Sequence, residues 1–267
     1  MRAIDHGILS LAQASAYSAI VALFPALIVA AALIALLPHT APVRAQLGGF
    51  FERVLPPAVM PVLEGYFATA PHTSKSTHVV AVSVFVSVTG ASSVIATFME
   101  GFRRAYDLPF NCWTFFRRRG RAYALVPLSL IPLAIASSLI VFGHFLILWI
   151  AFHVPASIRT EVYVVALIIR WSIALTGSAG LIAVIYHMGT PIRQPWKQVL
   201  PGAIAATVMW FLTTLAFGWY VTRFANYSQV YGSLGAGIAL LFWLYIVSLS
   251  VLFGAEFNYS YRQHQHA

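Results

Sequence analysis

The sequence predicts an all-α, polytopic integral membrane protein: six transmembrane helices in one membrane domain over 1–267, with a short amphipathic cap between helices 1 and 2. Two observations carry that prediction. Apolar runs of about 20 residues or more recur along the chain, each long enough to cross a hydrocarbon core of roughly 30 Å as a helix. Charge between and within them is scarce: 60% of the 267 residues are hydrophobic and 9% are charged, whereas soluble domains carry about a quarter charged residues. Mean hydropathy is correspondingly high, at +0.81. No polar stretch approaches the roughly 100 residues of a separate soluble domain.

The first span is expected at about 14–37. Its apolar run exceeds the roughly 7–15 residues of a signal-peptide core, which marks it as an uncleaved helix. Ala14, Ser18, Ala22, Ala26 and Ala30 recur every fourth residue, a row of small side chains that lets a second helix approach closely. Pro25 interrupts the backbone ladder in mid-span. It reads either as a tolerated kink or, because it leaves the Val21 carbonyl without its usual donor, as a polar hinge on a transport path.

The connection 38–78 is too rich in apolar and aromatic residues for a plain solvated loop. Pro56, Pro57 and Pro61 divide it, so two short helices, about 43–54 and 58–68, are expected to lie at the bilayer surface as a cap. The second span follows at 79–98. Its Val, Ser and Thr content resembles a buried strand, but about 20 residues is far beyond a typical strand, and a helix wins on length.

The link 99–121 is the strongest charge feature. Arg103, Arg104, Arg117, Arg118, Arg119 and Arg121 are six of the 16 Lys and Arg in the chain, set against Glu100 and Asp107. Placing this link in the cytoplasm puts ten basic residues inside and five outside, with Arg170 left in a span, as the positive-inside rule prefers. Both termini are then cytoplasmic. The arginines read as a topology determinant; the sharper reading is contact with anionic lipid, and nucleic acid is disfavoured as a partner.

A third span is expected at 122–152, with Pro127 and Pro132 early in it, and a fourth at 162–187, containing Arg170. The fifth and sixth, 199–221 and 234–257, form a hairpin. Trp149, Tyr163, Tyr186, Trp196 and Tyr220 fall near span ends and read as interfacial anchors.

Several segments carry a family resemblance. They are AYSAIVALFPALI from Ala16, the basic link EGFRRAYDLPFNCWTFFRRRGR, PGA at 201–203 with Trp210 and Tyr220, NYSQVYGSLGA at 226–236, and FWLYI followed by FGAEFN ending at Asn258. Together they resemble the YihY/BrkB family of membrane proteins, over nearly the whole chain. The resemblance implies a bacterial inner-membrane location, a transport or envelope-maintenance role and a link with virulence or serum resistance. The family has also carried a ribonuclease label.

The residues themselves offer little for catalysis. A metal-dependent nuclease needs clustered Asp, Glu or His around a divalent ion, and the seven acidic residues are not paired in sequence. The nine histidines are scattered, with no second ligand at metal spacing inside one element. The single cysteine, Cys112, forms no internal disulfide. No enzyme activity, metal or cofactor is expected. Gly232, Gly235 and Gly237 lack the strand and spacing of a phosphate-binding loop and are assigned to close backbone packing at the entry of the last span.

Two ionisable residues stand out because a bilayer makes them expensive. Arg170 lies eight residues into the fourth span, about 12 Å from its outer end, and should face protein, water or an anionic guest. Glu256 closes the last span, roughly 33 Å from that helix's outer start, and reads either as a partner for the arginines of the basic link or as a proton- or substrate-coupling group. Deep Arg170, the proline-interrupted spans and the amphipathic cap favour transport of a lipid-like or other anionic solute. The competing reading is a non-transporting scaffold for envelope partners, in keeping with the lack of a recognisable coupling-ion or nucleotide site.

Overall fold

The computed structural model describes residues 6–36, 74–129, 159–192, 194–224 and 233–266. Among these the secondary structure is entirely helical. Six α-helices run in order: α1 Ile8–Leu36, α2 Ser74–Ala105, α3 over 115–129, α4 Arg159–Gly189, α5 Trp196–Phe224 and α6 Ser233–His266, with a 3-10 turn at Phe110–Cys112 between α2 and α3. Four are long and apolar enough to cross a membrane, over Val80–Ala105, Thr160–Gly189, Trp196–Tyr220 and Gly237–Gln263; α1 adds a shorter apolar segment, Ile8–Leu23. The expected cap and most of the expected third span lie outside the described residues.

The helices outrun the expected spans. The second span is expected at 79–98, yet α2 continues to Ala105, because Glu100, Arg103 and Arg104 are good helix formers that pair at i, i+3 and i, i+4. Arg103 and Arg104 also sit in the last turn, where a helix favours cations. Helix α6 likewise runs to His266, well past the apolar run that ends near 257. The basic link is therefore mostly helical: Arg117, Arg118, Arg119 and Arg121 ride on α3.

The chain forms two compact units. One comprises Met1–His6, Phe98–Trp210 and Ser250–Ala267; the other comprises Gly7–Thr97 and Phe211–Leu249. In the second unit α1 and α2 meet at Ala22 and Gly90, where a Cβ on the glycine would lie 2.6 Å from the alanine Cβ. The expected small-residue row is met only in part. Ala22 is buried, but Ala14 and Ala26 are exposed, and the buried stripe runs through Ile8, Leu11, Ala12, Ser15 and Ala16 instead. Pro25 lies inside the continuous α1.

Hydroxyls along α2 turn back onto their own helix: Ser87 donates to the Ser83 carbonyl, Ser93 to that of Thr89 and Thr97 to that of Ser93, at 2.7–2.9 Å. This is how a Ser- and Thr-rich span satisfies its polar groups without water. Further along the same unit, Trp243 Nε1 donates to Thr214 Oγ1 at 3.3 Å between α6 and α5. An apolar cavity of about 510 Å³ lies between these helices, lined by Thr213, Phe217, Tyr220, Ile238 and Phe242 among others. Another, of about 400 Å³, is lined by α1 and α6 residues including Tyr17, Leu241 and Tyr245.

Candidate functional site

Polar chemistry gathers in the first unit, where α2 ends. The helix stops in a Schellman turn: Leu108 N–H donates to the Arg103 carbonyl and Asp107 N–H to that of Arg104, both at 3.0 Å, with Asp107 in the left-handed region at φ 51°. Glycine is the usual occupant of that position. Aspartate tolerates it, and Pro109 then prevents the helix from resuming.

Asp107 points its carboxylate at two partners. His6 Nε2 lies 3.2 Å from Oδ1, and the Tyr259 hydroxyl donates to Oδ2 at 3.0 Å. The other ring nitrogen of His6, Nδ1, lies 2.6 Å from Oε1 of Glu256. One imidazole is thus held between carboxylates from the end of α2 and from α6, and Arg104 donates to its backbone carbonyl at 3.3 Å. Because the two acids face opposite ring nitrogens, the three groups do not converge on a metal position, and no metal-holding group of three is found among the described residues.

A second carboxylate organises the arginines. Glu100 takes both Nε and Nη2 of Arg103, at 3.1 and 2.7 Å, a two-pronged contact suited to the planar guanidinium. Arg104 Nε and Arg118 Nη1 reach the same carboxylate at 3.1 and 3.4 Å. Three cations share one anion, so the cluster stays net positive. The remaining arginines lie on rings: Arg117 and Arg121 on Trp113 at 5.9 and 4.3 Å, Arg119 on Tyr123 at 5.2 Å, contacts in which the ring quadrupole attracts the cation.

Beneath this surface the helices are tied by buried hydrogen bonds. Asn258 joins α6 to α5 through Gly202 and Val199; the Tyr186 hydroxyl on α4 donates to the Val251 carbonyl on α6; Thr190 donates to the Tyr186 carbonyl. Phe102 meets Tyr186 edge-on at 5.0 Å. The Tyr106 hydroxyl donates to Gln194 Oε1 at 3.0 Å. Burial pushes the Tyr106 hydroxyl up to about 12, although the Gln194 bond pulls the other way.

The residues singled out from the sequence fare unequally. Glu256 is buried and has His6, not an arginine of the basic link, as its ion-pair partner; the sequence offered no way to see that a residue 250 positions away would close on it. Tyr186 is buried within the helix packing and is not an interfacial anchor, whereas Tyr163, Trp196 and Tyr220 are exposed. Arg170 is half-buried in α4, ten residues inside the candidate span that begins at Thr160, and it is not without a partner. A Cβ on Gly237 would meet nothing within 4 Å, so close packing is not found there. Gly232 and the surroundings of Gly235 lie outside the described residues. His6, Asp107, Asn258 and Gln194 were missed as site residues; only the non-glycine turn after Arg103 and Arg104 left any trace in the sequence.

Comparison with known proteins places this arrangement in context. The chain is 27% identical over 252 residues to a putative ribonuclease-like protein, YfkH, of Bacillus subtilis, covering 91% of this chain and 86% of that one. It is 28% identical over 249 residues to a UPF0761 membrane protein of Alteromonas mediterranea, covering 92% and 80%. A UPF0761 membrane protein of Tolumonas auensis is 36% identical over 81 residues, 30% of this chain and 27% of the relative. No solved structure matches. The family model described as virulence factor BrkB matches residues 1–267, the full length on which the membrane helices and the charged end of α2 are laid out, and the chain belongs to this BrkB family of membrane proteins.

Proposed function

We propose that this protein transports an anionic, lipid-like solute across the bacterial inner membrane in the service of envelope maintenance, with both termini in the cytoplasm. The observation that carries the reading is the depth of Arg170: a guanidinium about 15 Å along a membrane-length helix is costly in a bilayer, and charged groups at such depth mark substrate and ion paths. The apolar cavities of the second unit suit an acyl or other apolar portion of such a solute, and the arginine-rich end of the first unit suits gathering anions.

Reconstitution tests this. Liposomes carrying a fluorescent phosphatidylglycerol in both leaflets are treated with an impermeant quencher. With the protein present, the quenched fraction should pass beyond the outer leaflet, and a labelled phosphatidylcholine should respond more slowly. Quenching that stops at the outer leaflet for every lipid would favour the alternative, a scaffold for envelope partners, which the buried hydrogen-bonded ties in the first unit would also serve. The name of the Bacillus relative raises a nuclease reading; the acids at the charged end of α2 are engaged with arginines and His6, which speaks against it.

A further inference from the structure

We infer that a small cationic cavity beside the end of α2 binds a phosphate group, foremost the headgroup phosphate of an anionic phospholipid. The cavity has a volume of about 140 Å³ and is lined by Glu100, Arg103, Phe110, Trp113, Phe115 and Arg118 among others. It is smaller than the roughly 300–1,000 Å³ of a site for a drug-sized molecule, so it suits one compact polar group and not an acyl chain.

Three independent features place donors and positive charge beside that space. Arg103, Arg104 and Arg118 share the single carboxylate of Glu100, and Arg118 gives it only one contact, at 3.4 Å, out of the five N–H groups a guanidinium offers. Trp113 lines the cavity, and its indole N–H is buried with no acceptor among the described residues. An indole N–H only donates, and with Arg121 and Arg117 on the same ring the acceptor it calls for is an anion. Lastly, α3 begins here. Its first intrahelical bond is Arg118 N–H to the Thr114 carbonyl at 3.0 Å, so the N–H groups of residues 115–117 have no acceptor within the helix. Such an end favours an oxyanion.

A phospholipid fits better than free phosphate because of what surrounds the opening. Phe110 and Phe115 on the lining, and Phe116 beside them, are 76%, 65% and 81% exposed, apolar rings next to a charge site in a membrane protein. They would meet the glycerol and upper acyl region of a lipid whose phosphate sits in the cavity. The inference requires the membrane setting but not transport, since the site holds a phosphate whether or not the chain moves a lipid.

Native mass spectrometry of the purified full-length protein tests it, with dioleoylphosphatidic acid and dioleoylphosphatidylcholine as probes and inorganic phosphate as competitor. Phosphatidic acid should stay bound and phosphatidylcholine should not. Trp113→Phe, which keeps a ring under the arginines but removes the donor, and Arg118→Gln should each weaken phosphatidic acid binding about ten-fold, the value of one charge-assisted hydrogen bond. Arg119→Gln, on Tyr123 and not on the lining, should bind as wild type, and matching melting temperatures would show that all three are folded. Displacement by inorganic phosphate would support recognition of the phosphate alone; retention against it would support recognition of the headgroup within its lipid. Wild-type binding by Trp113→Phe, equal losses in Arg118→Gln and Arg119→Gln, or equal retention of phosphatidylcholine would overturn the site.

Discussion

Asn258 and Gly202 hold two helices together: the Asn258 Oδ1 accepts the Gly202 N–H at 2.6 Å while its Nδ2 donates to the Val199 carbonyl at 3.0 Å. Only glycine fits at the crossing. A Cβ on Gly202 would run into the Gly254 carbonyl and the Asn258 side chain, and one on Gly254 into the Tyr186 hydroxyl, the Gly202 carbonyl and Ala206. Gly202→Ala and Gly254→Ala should therefore each lower stability by about 1–3 kcal/mol, the usual cost of overpacking. Gly237→Ala, which meets open space, should stay within about 0.5 kcal/mol of wild type. Thermal melting in detergent reads the difference, and equal melting of all three would show that the crossing is not tight.

Asp107 allows stability and function to be separated. Asp107→Gly relieves a left-handed residue, a gain of about 1 kcal/mol, and gives up contacts of a half-exposed carboxylate worth about 0–1 kcal/mol. The two nearly cancel, so melting should change little. If the bridge from His6 to Asp107 serves the protein's activity, lipid movement should fall in this variant despite its intact fold. A clear drop in melting temperature would mean that the carboxylate is structural.

Tyr106 gives an alkaline signature. With its hydroxyl near 12 in the folded protein and about 10 when unfolded, burial of the neutral form stabilises the fold fully below pH 10. As pH rises from about 10 to 12 the unfolded chain loses the proton first, and that contribution is lost. Wild type should lose melting temperature over this window faster than Tyr106→Phe, which cannot ionise. Parallel curves would refute the assignment.

The proposed orientation rests on the arginine count and is tested by cysteine labelling. An impermeant maleimide added to intact cells should leave the native Cys112 unmodified and should label Cys at position 160 in a Cys112→Ser, Thr160→Cys protein. Labelling of Cys112 before the membrane is opened would invert the proposed topology.

What the sequence made legible was whatever depends on one helix at a time. The length and apolarity of α2, α4, α5 and α6 marked them as helices. Their ends were misjudged because a hydropathy pattern registers where the apolar run stops, whereas Glu100, Arg103 and Arg104 extend the helix through polar pairing. The site was legible only as charge. That His6 would close on Glu256 and Asp107 depends on how distant segments fold together, and no spacing within one element encodes it. The glycines show the same limit. Gly237 of YGSLGAG meets open space, because close approach depends on which face a helix turns to its neighbour; among the described residues the tight contacts fall at Gly90, Gly189, Gly202 and Gly254.

The central claim, that the protein moves an anionic lipid-like solute past Arg170, is met most directly by measuring the movement of fluorescent phosphatidylglycerol in liposomes containing wild type, Arg170→Lys or Arg170→Met. A guanidinium grips a phosphate with a planar fork, whereas a lysine offers a compact point charge. The account predicts that Arg170→Lys keeps the wild-type melting temperature yet moves the lipid about ten-fold more slowly, the equivalent of roughly 1.4 kcal/mol, and that Arg170→Met is slower still. A well-folded Arg170→Met protein that moves the lipid at the wild-type rate would contradict it.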